Sequence, residues 1–223
     1  MQEKTASIKA RYRLLSSKII KNLESRKFEA TYCDTAAQAV QTALSLIPEG
    51  ALVSWGGSVT LVETGLLEQV KQGPYTVIDR DTAASPAARY DLMRQALLCD
   101  VYLTSFNAIS EDGVLFNVDS TGNRVAAIAF GPKNVVALVG MNKVCKTTEG
   151  ALERARTYAA PINVQRAAIN PHFRALQGTP CVLNGSCGNC KAEDCSCSYV
   201  VETRMCRPAG RIKIILVGEP LGF

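Results

Sequence analysis

Residues 51–60 read Ala51-Leu52-Val53-Ser54-Trp55-Gly56-Gly57-Ser58-Val59-Thr60, a short apolar run that passes through two glycines into a Ser-Val-Thr start. A run of this length bounded by turn residues reads as a buried strand over 51–54, and the apolar spacing after it predicts a helix from about 59 to 71. A buried strand that leaves through a glycine turn into a helix opens a crossover unit on a parallel sheet. The same alternation continues in both directions. Strands are expected at 28–33, 75–79 and 100–105, with helices at 35–46 and about 86–98. From residue 107 the rhythm changes: 107–119, turning at Glu111-Asp112-Gly113, reads as a hairpin or extended loop. Residues 124–130 and 134–139 both read as strands, 147–159 as a helix, 178–198 as an irregular cysteine-rich loop and 211–217 as a last strand. The fold class is α/β with a mostly parallel sheet.

The 223 residues, 47% apolar and 20% charged, suffice for a sizeable core and exclude disordered, collagenous and low-complexity classes. No apolar stretch approaches the roughly 18 to 20 residues of a membrane helix, so no membrane span is expected. The opening residues lack a hydrophobic signal core, and the expected compartment is the cytoplasm. The net charge of +5 is local: residues 1–28 carry +6 and the remainder −1. Within 1–28, Ile8, Tyr12, Leu15, Ile19 and Leu23 recur at helical spacing, which predicts an amphipathic basic helix docked on a single domain over 29–223. No recognised nucleic-acid motif accompanies it.

Three constellations carry chemistry. Gly56 and Gly57 allow close approach of a ligand, and Ser58 and Thr60 add hydroxyls; the loop reads either as an anion site or as a glycine turn in which Ser58 caps the helix. Glu63 lies about one turn later. The second is the polar run from Asn107 to Arg124, with Asn117, Asp119 and Asn123, in which Arg124 can grip a carboxylate or phosphate and the amides a hydroxyl or carbonyl. Asn142 and Lys143 follow a strand, at the end where open α/β sheets bind ligands. The third is Cys181-x5-Cys187-x2-Cys190-x6-Cys197, with Cys195 in the last gap: thiols this dense outside an oxidising compartment point to a metal ion or an iron–sulfur cluster. Cys33, Cys99 and Cys145 read as small buried hydrophobes. His172, the only histidine, stands outside every motif, so acid–base chemistry falls to Glu63, Glu111, Asp112, Asp119 or Lys143.

Trp55-Gly56-Gly57-Ser58-x-Thr60-Leu61-x-Glu63-x-Gly65-Leu66, Val77-Ile78-Asp79-Arg80, Asn107-Ala108-Ile109-x-Glu111-Asp112-Gly113, Gly122-Asn123-Arg124-Val125-Ala126-Ala127, Phe130-Gly131-Pro132-Lys133 and Val139-Gly140-x-Asn142-Lys143 together resemble the LUD domain (lactate utilisation) family over nearly the whole chain. The resemblance implies a three-layer α/β fold similar to the sugar-isomerase, ribose-5-phosphate isomerase and CoA-transferase group, with the ligand at the glycine loop and neighbouring strand ends. It also implies a place in L-lactate oxidation or related organic-acid metabolism, where iron–sulfur clusters sit in redox partner subunits. The chain looks like the stand-alone branch ending in a cysteine quartet, matched by Cys181, Cys187, Cys190 and Cys197, with Cys195 as an extra thiol and alternative ligand.

The expected function is binding of a small carboxylate or phosphate, with a cysteine-held cluster for electron transfer or redox sensing. The alternative is a sugar-phosphate isomerase-, CoA-transferase- or ligase-like enzyme, with Glu63, Glu111 or Asp119 as base or nucleophile and a zinc ion that only staples the loop. A homo-oligomer is compatible with either.

Overall fold

The computed structural model describes residues 2–169, 178–192 and 195–223. The chain opens with α1 (Gln2–Ser25) and continues through β1 (Glu29–Cys33), α2 (Ala36–Ser45), β2 (Leu52–Trp55), α3 (Val59–Glu63), α4 (Leu66–Gln72), β3 (Thr76–Ile78), α5 (Pro86–Gln95) and β4 (Val101–Thr104). The hairpin β5 (Ala108–Ser110) and β6 (Leu115–Asp119) precedes α6 (Asn123–Ala129), β7 (Asn134–Gly140), β8 (Val144–Cys145), α7 (Thr148–Arg154) and α8 (Ala160–Ile169). The remainder forms α9 (Pro180–Asn184), β9 (Tyr199–Thr203) and β10 (Ile212–Val217). Among the described residues no helix is long and apolar enough to cross a membrane.

Six strands pair in parallel in the order β1-β10-β7-β4-β2-β3. Strands covered on both faces are apolar at consecutive positions, and β7 shows why: Val135, Ala137 and Val139 enter one core, Val136 and Leu138 the other. The first core receives Ile19 and Leu23 from α1 and Ala127 and Ile128 from α6. The second receives Ala39, Val40 and Ala43 from α2 and Leu61, Leu66, Leu67 and Val70 from α3 and α4. The result is three layers, helices on either side of a parallel sheet. A smaller sheet, β8-β5-β6-β9, packs Phe116 and Val118 against Ala151, Ala155 and Ala160.

The basic opening helix is anchored by its charges as well as its apolar face. Arg13 grips Asp34 through two hydrogen bonds of 2.7 and 2.8 Å, Lys18 donates to Glu111 at 2.8 Å, and Arg26 to Asp112 at 2.9 Å.

Three sequence expectations are corrected, and one strand is added. Residues 124–130 form the helix α6 rather than a strand: Asp119 Oδ2 accepts the N–H groups of Arg124 (3.0 Å) and Val125 (3.2 Å), and Gly122, at φ 88°, turns the chain into it. Residues 59–71 split into α3 and α4 at Gly65, whose φ of 71° favours glycine. The helix begun at Thr148 does not stop at 159 but passes through a π-helical segment, Ala155–Ala159, into α8. That wider turn ends two residues before Pro161, which has no N–H to give the ladder. Residues 199–203, left without assignment, form β9, paired antiparallel with β6.

Arg211, immediately before β10, is buried and donates to the carbonyls of Pro132 (2.9 Å), Ile128 (2.6 Å) and Ala127 (2.7 Å), closing the last turn of α6. Arg211→Met should cost about 3 kcal/mol and lower Tm by about 6–12 °C in thermal unfolding; a shift under about 2 °C would remove this clamp from the account. Lys18 and Lys146 hold the Glu111 carboxyl below the usual carboxylate range. A depressed folded pKa stabilises above the unfolded value and stops doing so as pH falls through the folded one. The stability gap between wild type and Glu111→Gln, read by urea titration, should therefore be full at neutral pH and close below about pH 4.

Candidate functional site

The sheet order dictates where a crevice forms. β3 lies outside β2, and the chain then returns to set β4 on the other side of β2. The connections leaving β2 and β4 therefore run to opposite faces, α3 and α4 into the second core and α6 into the first. Such a switch point leaves a gap beyond the strands' C-terminal ends. A cavity of about 350 Å³ occupies it. Five strand ends line it: Gly57, Ser58 and Thr60 after β2, Arg80 after β3, Ser105 and Asn107 after β4, Lys143 after β7 and Gly222 after β10. The remaining wall includes Arg89 and Met93 of α5, Asp119 of β6, Asn123 and Arg124 of α6, Arg166 of α8 and Ser196 from the cysteine loop.

Among the described lining residues Arg80, Arg89, Arg124, Arg166 and Lys143 are basic, and Asp119 is the one acid. Its carboxylate is engaged, accepting the N–H groups of Ser120, Arg124 and Val125 at 3.0–3.2 Å. Arg89 donates to Asp81 at 2.6 Å. Arg124 donates to Asn107 Oδ1 (3.1 Å) and the Val118 carbonyl (2.5 Å). Arg80 is the least satisfied: Nη1 meets Met93 Sδ at 3.5 Å, Asp81 stands 4.0 Å away, and among the described residues its buried Nε has no hydrogen-bond partner. Burial, with Arg89 nearby, lowers its pKa.

The two glycines make room for these side chains. A Cβ on Gly57 would stand 2.8 Å from Arg80 Nη2, and one on Gly56 3.0 Å from Arg124 Cδ. Ser58 takes the capping role, accepting the Leu61 N–H at 3.4 Å. Lys143 is buried, and its Nζ donates to Thr60 Oγ1 (2.8 Å) and Ser105 Oγ (3.1 Å). Burial first, then Arg154 and Arg124, push its pKa down to about 7 against the opposing pull of Glu63.

The other expected site residues stand behind or beside the cavity. Glu63 accepts the Gly222 N–H at 2.7 Å, and Asn142 accepts the Leu221 N–H at 3.1 Å and donates to the Gly222 carbonyl at 3.3 Å. Together they hold residues 221–222 across Thr60 and Lys143. Asn117 donates to the Ser105 carbonyl at 3.2 Å. Glu111 lies at the β5–β6 turn under α1, paired with Lys18 and Lys146, and Asp112 pairs there with Arg26. Sequence reasoning passed over Arg80, Arg89, Arg166, Ser105 and Ser196 as site residues. Arg80 was within reach, since it directly follows a parallel strand; Arg89 and Arg166 sit on helices with no local signal.

Cys181 and Cys197 each lie within electrostatic reach of Cys187, Cys190 and Cys195. Burial and these neighbours raise the pKa of Cys181, and burial with Cys195 pushes Cys197 up to about 11. Soft donors whose thiolates repel one another suit a thiophilic cation, zinc or iron. Among the described residues no three such groups are disposed to ligate one ion. His172 lies outside the described residues.

A crystal structure of a DUF162 family protein from Deinococcus radiodurans matches this fold with a TM-score of 0.52, over 92% of this chain and 98% of that one, at 11% identity. No curated protein matches the chain. The model of the LUD domain matches residues 16–217, a span that holds β1 to β10 and the cavity wall from Gly57 to Ser196. The chain therefore belongs to the LUD domain family.

Proposed function

We propose that this LUD domain protein binds a small carboxylate or phosphate in the cavity between the ends of β2 and β4, as part of lactate or related organic-acid metabolism. The observation that carries the reading is the charge: among the described residues five basic side chains face a cavity whose one acid is engaged with backbone N–H groups, and the buried Arg80 Nε has no hydrogen-bond partner, with Asp81 no nearer than 4.0 Å. A buried guanidinium whose hydrogen-bond donors are left unmet is destabilising, and an anion supplies the missing acceptors and more counter-charge than Asp81 gives at 4.0 Å. Guanidinium groups match carboxylate and phosphate in a two-pronged fashion, and Asn123 is placed to meet a hydroxyl or carbonyl on the same ligand. Glu63, Glu111 and Asp119 are each engaged with other partners, which favours anion recognition over a carboxylate-base enzyme.

A metal ion or iron–sulfur cluster belongs to the same proposal, held by Cys181, Cys187 and Cys190 with Cys197 or Cys195. A cluster would supply electron transfer or redox sensing, and zinc a structural staple. Ser196 puts this loop in the cavity wall.

Titration calorimetry with lactate, pyruvate and inorganic phosphate tests the anion site. At least one should bind, more weakly as salt rises, and Arg80→Gln should weaken it by about 10- to 100-fold. Arg80→Gln protein that bound every tested anion like wild type would overturn the reading. Iron, zinc and acid-labile sulfide, measured on protein purified without oxygen, should give about four iron and four sulfide for one cubane or about one zinc per chain. Protein carrying none of these would end the metal proposal.

A further inference from the structure

We propose that Lys143 is a carbonyl-reactive amine: the cavity takes a small anionic carbonyl compound, a 2-oxo acid or a phosphorylated aldehyde or ketone, and Lys143 Nζ condenses with its carbonyl carbon to form an imine. The proposal deepens the anion-binding reading and rests on it. Lys143 is 3% exposed yet lines the cavity. Its two hydrogen bonds go to hydroxyls whose own protons are directed elsewhere: Thr60 Oγ1 donates to the Leu221 carbonyl at 3.4 Å and Ser105 Oγ to the Phe106 carbonyl at 3.5 Å. Both hydroxyls therefore accept from Nζ. Two N–H groups are fixed in this way, and the nitrogen's remaining tetrahedral position, which carries the lone pair in the neutral amine, is not taken up by either hydroxyl.

The charged groups that act on Nζ agree. Arg124 and Arg154 are cationic, and Glu63, the one acid that opposes them, accepts the Gly222 N–H. Among the described residues no carboxylate lies within ion-pair distance of Nζ. A buried amine facing cations without a counter-ion sheds its proton readily, and with a pKa brought to about 7 roughly half of it is neutral at neutral pH. Beside it stand guanidinium groups that can hold the ligand's charged end.

The step balances without an oxidant. The Nζ lone pair adds to the carbonyl carbon, a C–N bond forms, and the carbonyl π pair moves onto oxygen, which takes one proton from nitrogen. The carbinolamine then loses that oxygen with the second nitrogen proton as water, leaving C=N. Thr60 and Ser105, already bonded to Nζ, stand where those protons depart.

The test is reductive trapping. The full chain is incubated with glyoxylate, pyruvate or glyceraldehyde 3-phosphate and sodium cyanoborohydride, and the adduct is mapped by peptide mass. Label should enter Lys143 at least about tenfold faster than exposed Lys133, with a pH midpoint near 7 rather than near 10. Lys143→Arg should remove the fast label, and the wild-type peptide map answers the question by itself if that variant fails to fold. The compound trapped fastest tells an oxo acid from a sugar phosphate. Equal labelling of Lys143 and Lys133, or a midpoint near 10, overturns the proposal. Calorimetry of the same compounds without reductant separates the failures: binding without fast trapping rejects the imine alone, whereas absence of both rejects the anion site as well.

Discussion

Lys143 Nζ stands between Thr60 Oγ1 and Ser105 Oγ, and these two hydroxyls belong to the two connections that diverge at the switch point. The chain leaves β2 toward one face of the sheet and β4 toward the other, so nothing in the backbone ladder joins the two connections beyond the strand ends. The lysine, delivered from the end of the neighbouring strand β7, joins them through side chains. Its placement follows from parallel pairing: strands that run the same way release their connections at the same edge. Thr60, Ser105, Lys143 and Gly222 can therefore meet although they are far apart in sequence.

Around this point the chain concentrates positive charge where burial makes it expensive. Gly56 and Gly57 present no Cβ where one would crowd Arg124 Cδ and Arg80 Nη2. The glycine loop thus works by yielding space to guanidinium groups, a different role from lending its own N–H groups, and Ser58 is occupied with capping α3. Asp119, which sequence order puts beside Arg124, meets that residue's backbone N–H and starts the helix that carries it. The carboxylate shapes the site by fixing α6 and leaves the field in the cavity positive.

Much of the architecture was legible because its signals are local. The apolar run at 51–54 and the glycines after it identify β2 and its exit, and Ile19 and Leu23 at helical spacing give α1 its buried face. Residues 124–130 misled because Val125 and Ile128 raise strand propensity, while the feature that decides for helix is a carboxylate several positions upstream, acting together with a left-handed Gly122. β9 was invisible for a similar reason, since Tyr199–Thr203 has half-exposed side chains and is held by its partner β6. Among the site residues, those in polar runs next to strand ends were readable: Ser58, Thr60, Asn107, Asn123, Arg124 and Lys143 all reach the cavity. Glu111 was not, because its neighbours Lys18 and Lys146 come from other parts of the chain. Arg89 and Arg166 enter from two helices brought together only by the tertiary fold.

The place of β10 in the sheet has a consequence for assembly. It is the last strand in sequence order yet lies between β1 and β7, with Glu29 opposite Lys213 and Val135 opposite Ile212. During synthesis β1 emerges early and has no strand beside it until residues 212–217 arrive, and β7 meanwhile keeps one open edge. Contacts this distant in sequence form late and slowly, and unpaired edges in that interval invite pairing with other chains. The docking of α1 onto the hairpin turn and the first core shields one face of these strands, while their edges wait for the C-terminal strand to close the sheet.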